Sequence, residues 1–357
     1  MSARVVFLLE GTGVYGGVKV VFQQAELLEK QGFQVTVAGK EPAPNWFPVR
    51  VPYRYVPSFD PVFLPEADLT VATFWTTLEP ALRLPWGKKV HYCQGFEGNY
   101  VEAGPHLDEI MATYRLPMPA WVVSPHLGEL VTHRFGRPTF LLTPPLDPLF
   151  APSPWKRRPR NPPRILVTGP FHFRWKGVKV ALEAIRILRK EGFNCELWRV
   201  SPSPLSEDEA RYLVADRFFH GLPSAKVARI VRQCDVLLAT SLEEGFGLPV
   251  LESLASGVPV IASDIPAFRF VGGDAVRYVT PGDAKETARS VLDLFRSAPS
   301  WDAYRRAGLQ RAGFFSASSV GPRLREAVRW ALEDHPFRAP GPLASASSSL
   351  ARTTRQG

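Results

Sequence analysis

The sequence predicts an α/β chain of two doubly wound, Rossmann-like halves that face each other across a cleft. Three observations carry that expectation. Short runs rich in Val, Ile, Leu and Phe alternate with stretches of helical periodicity along the chain, which is the pattern of parallel βα units. Periodicity vanishes and proline density rises through Leu141–Pro154 (LLTPPLDPLFAPSP), and a fresh strand follows, as at a domain boundary. Glycine-bearing loops follow several strands at their carboxyl ends, where doubly wound sheets bind ligands. The expected units are residues 1–150, a basic proline-rich linker at 151–163, a second half at 164–335, and a disordered tail at 336–357 whose Pro, Ala, Ser and Arg cannot build a core.

In the first half, Arg4–Glu10 reads as a buried strand, Gly11–Gly17 as a loop and Val18–Gln31 as a helix stopped by Gly32. Gly13, Gly16 and Gly17 do not spell G-x-G-x-x-G, which disfavours a dinucleotide fold in the usual sense. Gln34–Ala38, Asp68–Phe74, Lys89–Gln94 and Ala120–Ser124 read as further strands, with helices at Thr76–Leu84, Val101–Tyr114 and Pro125–Phe135. Between Glu41 and Pro65 the prolines and aromatics imply one or two strands that periodicity does not locate. Gln94 and Glu97 fall at a strand's carboxyl end and are candidates for contact with a second ligand, against a plain turn. His91, inside that strand, reads as a core residue.

In the second half the expected strands are Arg164–Thr168, Cys195–Val200, Arg217–His220, Val236–Thr240, Val258–Ala262 and Ala275–Val279. Helices are expected at Val178–Glu191, Glu207–Ala215, Ser224–Gln233, Ala284–Ser297, Tyr304–Ala312 and Val320–Leu332. Ser206 and Glu209 read as a capping box, so the Glu207, Asp208, Glu209 cluster belongs to a helix start rather than to a metal site.

Ser241–Ser263 (SLEEGFGLPVLESLASGVPVIAS) is the most informative stretch. Gly245 and Gly247 let backbone approach a ligand, and the helix opening at Leu248 and Pro249 offers free N–H groups to a phosphate. Glu244 and Glu252 suit hydroxyls better, such as those of a sugar and a ribose. Taken alone, the glycines would be a tight turn and Glu252 a solvated helix position. After the first strand of this half, Arg174 and Lys176 suit phosphate, the one as a bidentate donor and the other as a point charge.

Composition excludes other classes. The net charge of +9 is concentrated in two places: Lys156, Arg157, Arg158, Arg160 and Arg164 in the linker region, and Arg338, Arg352 and Arg355 in the tail. That leaves both halves near neutral, with no nucleic-acid motif. The linker charge is expected to be solvated, with attraction to anionic lipid headgroups as the alternative and no nucleic-acid partner. Cys93, Cys195 and Cys234 show neither pairing nor metal spacing, which points to a reduced compartment. The apolar run at Val5–Leu9 is too short for a signal peptide or a membrane span.

Glu244 and Glu252, eight positions apart within EGFGLPVLES followed by SGVPVIASD, resemble the E-x7-E signature of the family 4 glycosyltransferases, retaining nucleotide-sugar enzymes of the GT-B fold. The likeness extends to Gly169 with Lys176 and Gly177, to Gly221 of a G-x-L element, and to the Pro281, Gly282, Asp283 turn. It is weaker at Gly16 and Gly17, which resemble the family's diglycine loop, and at Asp147 with Phe150 and Pro152 near the hinge. The resemblance implies that Glu252 binds the donor ribose, Glu244 the transferred sugar, and the backbone of Gly245, Phe246, Gly247 and Leu248 the diphosphate and sugar. It implies that Lys176 neutralises the departing diphosphate. Where the family usually has Arg after the glycine at Gly169 this chain has Pro170, and Arg174 is expected to supply the charge. Gln94 stands where many members have histidine, as in a subset resembling rhamnosyltransferases of surface polysaccharides.

The resemblance thus implies an acceptor-side first half with Gln94 and Glu97, a donor-side second half, and a nucleotide-sugar with a glycan or lipid-linked acceptor as partners. No metal or other cofactor is expected, since no Asp-x-Asp occurs. The expected setting is cytoplasmic, extending to peripheral contact with the inner face of the membrane. The alternatives are a non-catalytic sugar-binding or scaffold protein of the same fold, and a nucleotide-sugar epimerase.

Overall fold

The computed structural model describes residues 2–154 and 158–337. In the first half the chain runs β1 (Arg4–Leu9), α1 (Gly16–Lys30), β2 (Gln34–Gly39), β3 (Tyr53–Tyr55), β4 (Leu69–Ala72), α2 (Trp75–Arg83), β5 (Lys88–Cys93), α3 (Leu107–Tyr114), β6 (Ala120–Val122), α4 (Pro125–Phe135) and β7 (Thr139–Leu141). These strands form one sheet in the order β3-β2-β1-β4-β5-β6-β7. Every pairing in it is parallel.

The second half runs β8 (Arg164–Thr168), α5 (Val178–Lys190), β9 (Glu196–Ser201), α6 (Glu207–Tyr212), β10 (Arg217–His220), α7 (Ser224–Gln233), β11 (Val236–Ala239), α8 (Leu248–Ala255), β12 (Val260–Ser263), α9 (Pro266–Gly272), β13 (Arg277–Val279), α10 (Ala284–Phe295), α11 (Ala298–Ala312) and α12 (Ala317–Leu332). Its sheet has the order β10-β9-β8-β11-β12-β13, again parallel throughout. The expected doubly wound α/β architecture is therefore observed twice. Central strands such as Val5–Leu9 and Val236–Ala239 are buried on both faces, as helices packed on either side require.

Several elements depart from the expectation. α9 was not expected; it is only seven residues long and opens on Pro266, so it offers almost no period to detect. β7 was not expected either; it is three residues long and ends at Leu141, where the proline-rich boundary begins. The expected helix Val101–Tyr114 begins as a 3-10 turn over Val101–His106, with Pro105 inside it, and becomes α-helical only at Leu107.

The last helix corrects the expected extent of the second half. α12 packs on α1, β4, β5 and β7 of the first sheet. Trp121 Nε1 donates to the Ala327 carbonyl at 3.1 Å, and Gln31 Nε2 donates to the Gly321 carbonyl at 2.9 Å. Two crossings therefore join the halves, the linker and the segment entering α12. Most of the expected tail, and Lys156 and Arg157 of the basic run, lie outside the described residues. Within the run, Arg164 Nε bonds Glu196 at 3.1 Å and Arg160 Nη1 donates to the Gln233 carbonyl at 3.1 Å, so two of its cations are docked on the second half rather than fully solvated.

Candidate functional site

The carboxyl ends of both sheets converge where the segment after β11 meets the loops after β1, β5 and β6. Two glycines in the second half show how tightly this is built. Gly177 has φ +60°, and a Cβ there would stand 1.9 Å from the Thr240 carbonyl oxygen. No other residue lets the turn before α5 lie flat on the end of β11. A Cβ at Gly245 would stand 1.8 Å from the Gln94 carbonyl oxygen, so backbone of one half lies directly on backbone of the other.

That turn delivers Lys176. Its Nζ lies 2.7 Å from Glu244 Oε1, and Ser241 Oγ donates to the same oxygen at 2.9 Å. Both charged side chains are largely withdrawn from solvent, at 22% and 11% exposure, beside the N-terminus of α8. The structure therefore assembles Lys176, Glu244 and the Gly245–Leu248 backbone in one place. Phe246 contributes backbone only: its ring is buried against Phe270 and Phe315, at centroid distances of 6.3 and 5.5 Å, and anchors the loop.

Arg174 does not join this group. Its side chain is exposed and makes no hydrogen bond or ion pair with a described residue, because the 3-10 turn Arg174–Lys176 points residues two apart in different directions. Gly221 follows β10, the edge strand, where its N–H donates to the Ser201 carbonyl at 3.1 Å and a Cβ would meet nothing within 4 Å, so it does not join the Lys176–Glu244 group.

Glu252 is held differently. Its Oε1 accepts from Lys19 Nζ of α1 at 2.8 Å, and the same ammonium lies 2.8 Å from Asp147 Oδ2. Burial pushes the Glu252 carboxyl up from its ordinary range, with Lys19 opposing that shift. Lys19 itself remains a firm cation; burial alone would lower its pKa, but the two carboxylates outweigh that and raise it.

From the first half, Gln94 Nε2 donates to the Gly17 carbonyl at 3.3 Å, and Gly16 abuts Leu248. Gln94 thus braces the diglycine loop, which meets the first residue of the helix that carries Glu252. Glu97 accepts from the Tyr114 hydroxyl at 2.7 Å. Burial pushes its carboxyl up to about 7, despite that hydrogen bond. Nearby, the rings of Tyr100 and Trp175 stack across the halves at 4.4 Å and 18°. His91 is the expected core residue, held neutral by burial and edge-on to Tyr114.

Sequence reasoning missed Ser124 and His126, which follow β6. Ser124 Oγ donates to the Gly245 carbonyl at 2.7 Å, and His126 Nε2 lies 3.2 Å from the Glu244 carbonyl, which requires that nitrogen to carry the hydrogen. Their only sequence signal was their position after a strand. It also missed Arg199. Buried on β9, Arg199 pairs with Glu209 at 2.6 Å and donates to the carbonyls of Val167 and Gly169 at 2.8 and 2.9 Å. The expected capping is half correct: the Glu209 N–H donates to Ser206 Oγ at 3.2 Å, but the Glu209 carboxylate turns inward to hold Arg199. Through Gly169, that pair fixes the start of the loop carrying Lys176. A Lys in the apolar run Val18–Phe22 was the available signal for Lys19.

Residues 162–297 match the family described as Glycosyl transferases group 1. The phosphatidyl-myo-inositol mannosyltransferase of Mycolicibacterium smegmatis is 33% identical over 144 residues, 38% of this chain and 37% of that protein. The O-antigen chain mannosyltransferase RfbU of Salmonella typhimurium is 34% identical over 77 residues, 22% of each chain. The chain thus matches well under half the length of these curated relatives. Among solved structures, sucrose-phosphate synthase from Thermosynechococcus elongatus superposes with a TM-score of 0.76 at 18% identity, over 92% of this chain and 98% of that one. Anabaena HepE in complex with UDP-glucose superposes with a TM-score of 0.73 at 14% identity, over 92% and 100%. With this site and two parallel sheets, the chain has the GT-B fold, and its residues 162–297 match the group 1 glycosyltransferases.

Proposed function

We propose that the chain is a retaining, family 4-type glycosyltransferase that moves a sugar from a nucleoside diphosphate to an acceptor hydroxyl, in the synthesis of a surface polysaccharide or glycolipid. The observation that carries this reading is the Lys176–Glu244 pair just before the N-terminus of α8, with Gln94 of the other half against the same loop at Gly245. Relatives named as mannosyltransferases in O-antigen and phosphatidyl-inositol chemistry, and a structural neighbour solved with UDP-glucose, support the donor and acceptor classes.

In this reading Glu244 accepts hydroxyls of the transferred sugar and Glu252 those of the ribose. As the bond from the anomeric carbon to the diphosphate breaks, negative charge grows on the phosphate. Lys176 and the free N–H groups of α8 stabilise it, so no metal ion or cofactor is required. Arg174, exposed at the turn, assists only by moving inward when donor binds. Gln94 has no basic nitrogen, so the acceptor proton leaves toward the departing phosphate oxygen or to Glu97. Closure of the halves excludes water from the donor. The enzyme works on the cytoplasmic side, with acceptors that are glycans or lipid-linked glycans.

The test is incubation of the full chain with a panel of nucleotide sugars, with and without glycan acceptors, following nucleotide release and the anomeric configuration of the product. Glu244→Ala is expected to lower turnover by about 10²–10³-fold. Undiminished turnover in that variant removes the site assignment, and nucleotide binding without any release favours a non-catalytic binder.

A further inference from the structure

Lys19 has no part in the chemistry above, yet it is buried and paired with two carboxylates. Its side chain is 6% exposed, and its ammonium lies 2.8 Å from each of two carboxylates and 4.8 Å from the centre of the Phe150 ring. The partners come from three places: α1 of the first half, the stretch entering the linker at Asp147, and α8 of the second half at Glu252. One cation against two carboxylates leaves a net charge of minus one in a poorly hydrated site, and no other Lys or Arg among the described residues pairs with either acid.

Asp147 Oδ1 takes the Leu149 N–H at 2.9 Å, Glu252 Oε1 accepts from Lys19, and Asp147 Oδ2 lies in ion-pair reach of the same ammonium, whereas Glu252 Oε2 has neither a hydrogen bond nor an ion pair with a described residue. A hydroxyl-bearing ligand would add donors to the one oxygen that lacks them. A closed pair of halves is needed to bring Lys19 there at all.

We propose that Lys19 is a positioning residue: it fixes one oxygen of Glu252 so that the other accepts the donor ribose hydroxyls, and it makes that grip conditional on the halves being closed. This rests on the reading of Glu252 as the ribose ligand. Without Lys19, the burial that pushes the Glu252 carboxyl up acts unopposed, and a protonated, unanchored carboxyl is a poorer acceptor. The coupling runs both ways: ribose binding favours the closed arrangement by as much as closure favours ribose binding.

The experiment uses the full chain and calorimetric binding of UDP, GDP, ADP and dTDP, followed by the 2′,3′-dideoxy form of whichever ribonucleotide binds tightest. In the wild-type chain, loss of the ribose hydroxyls is expected to weaken binding about tenfold or more. In Lys19→Met that ratio is expected to fall to within about twofold, because the hydroxyls have lost their oriented acceptor. Lys19→Leu, which likewise removes both the charge and the hydrogen-bond donor, serves if the Met variant does not fold, with the same collapse expected. A merely structural lysine predicts the opposite: both nucleotides weaken equally and the ratio survives, which overturns the proposal. Equal binding of both forms by the wild-type chain also overturns it. Failure of all four nucleotides to bind the wild-type chain instead removes the donor reading itself.

Discussion

The loop end and the helix end of the segment Ser241–Ala255 carry glutamates in opposite situations. Glu244 is neutralised by Lys176 of its own half, 68 residues earlier in the chain, whereas Glu252 is neutralised by Lys19 of the other half, 233 residues away. A pair formed within one half keeps its geometry whether the cleft is open or closed. A pair formed between halves exists only when they meet. The first suits a group that must be ready when substrate arrives, and the second a group that reports whether the site is assembled.

The comparison can be broken first on the within-half side. Arg199 and Glu209, with side chains 0% and 3% exposed, support the loop that delivers Lys176. Arg199→Met strands a buried carboxylate and is expected to cost about 3–5 kcal/mol in denaturant unfolding, with Glu209→Met added to it recovering part of the loss. A single-variant cost below about 1 kcal/mol would falsify the view that this pair holds the donor loop.

A smaller, more selective effect is expected between the halves. A methyl group at Gly245 would overlap the Gln94 carbonyl. Gly245→Ala is expected to prevent full closure, lowering turnover by about tenfold or more and weakening nucleoside diphosphate binding by about the tenfold that the ribose hydroxyls supply. Solution scattering should show a larger radius of gyration than for the wild-type chain, and an unchanged radius would mean that the contact is dispensable.

The smallest effect concerns Glu97, which forms no ion pair with a described residue and accepts from the Tyr114 hydroxyl. With its carboxyl near 7 in the folded chain and 4.5 as the ordinary value, the folded state favours the protonated form. Its stabilising contribution is complete below about 4.5 and is lost as pH rises through about 7. Glu97→Gln should therefore gain stability relative to the wild-type chain between pH 5 and pH 8, and thermal melts at both values test this. If Glu97 takes the acceptor proton, the rise in rate through about pH 7 should also flatten in the variant.

How much was legible varied with distance along the chain. Helices Pro125–Phe135 and Ser224–Gln233 and the strand Arg217–His220 end where their turn residues and periodicity said they would. Ser241, Glu244 and Gly245 were legible together because strand, loop and helix follow one another without interruption. Ser124, His126 and Arg199 were not, because their roles are contacts with distant backbone carbonyls, and no local pattern marks a donor for a carbonyl it meets only after folding. α12 showed its helical period but not its destination; an amphipathic helix encodes that it must be covered, not which sheet covers it.

The sequence alone determined two parallel α/β units and the strand, loop and helix that carry Glu244 and Glu252, because hydrophobic period, glycine and proline act over a few residues at a time. Tertiary structure alone decided that Lys19 meets Asp147 and Glu252, that Arg174 stays in solvent while Lys176 turns inward, and that the last helix returns to the first sheet. Those outcomes depend on which surfaces lose water together, a property of the packed chain and not of any stretch of it.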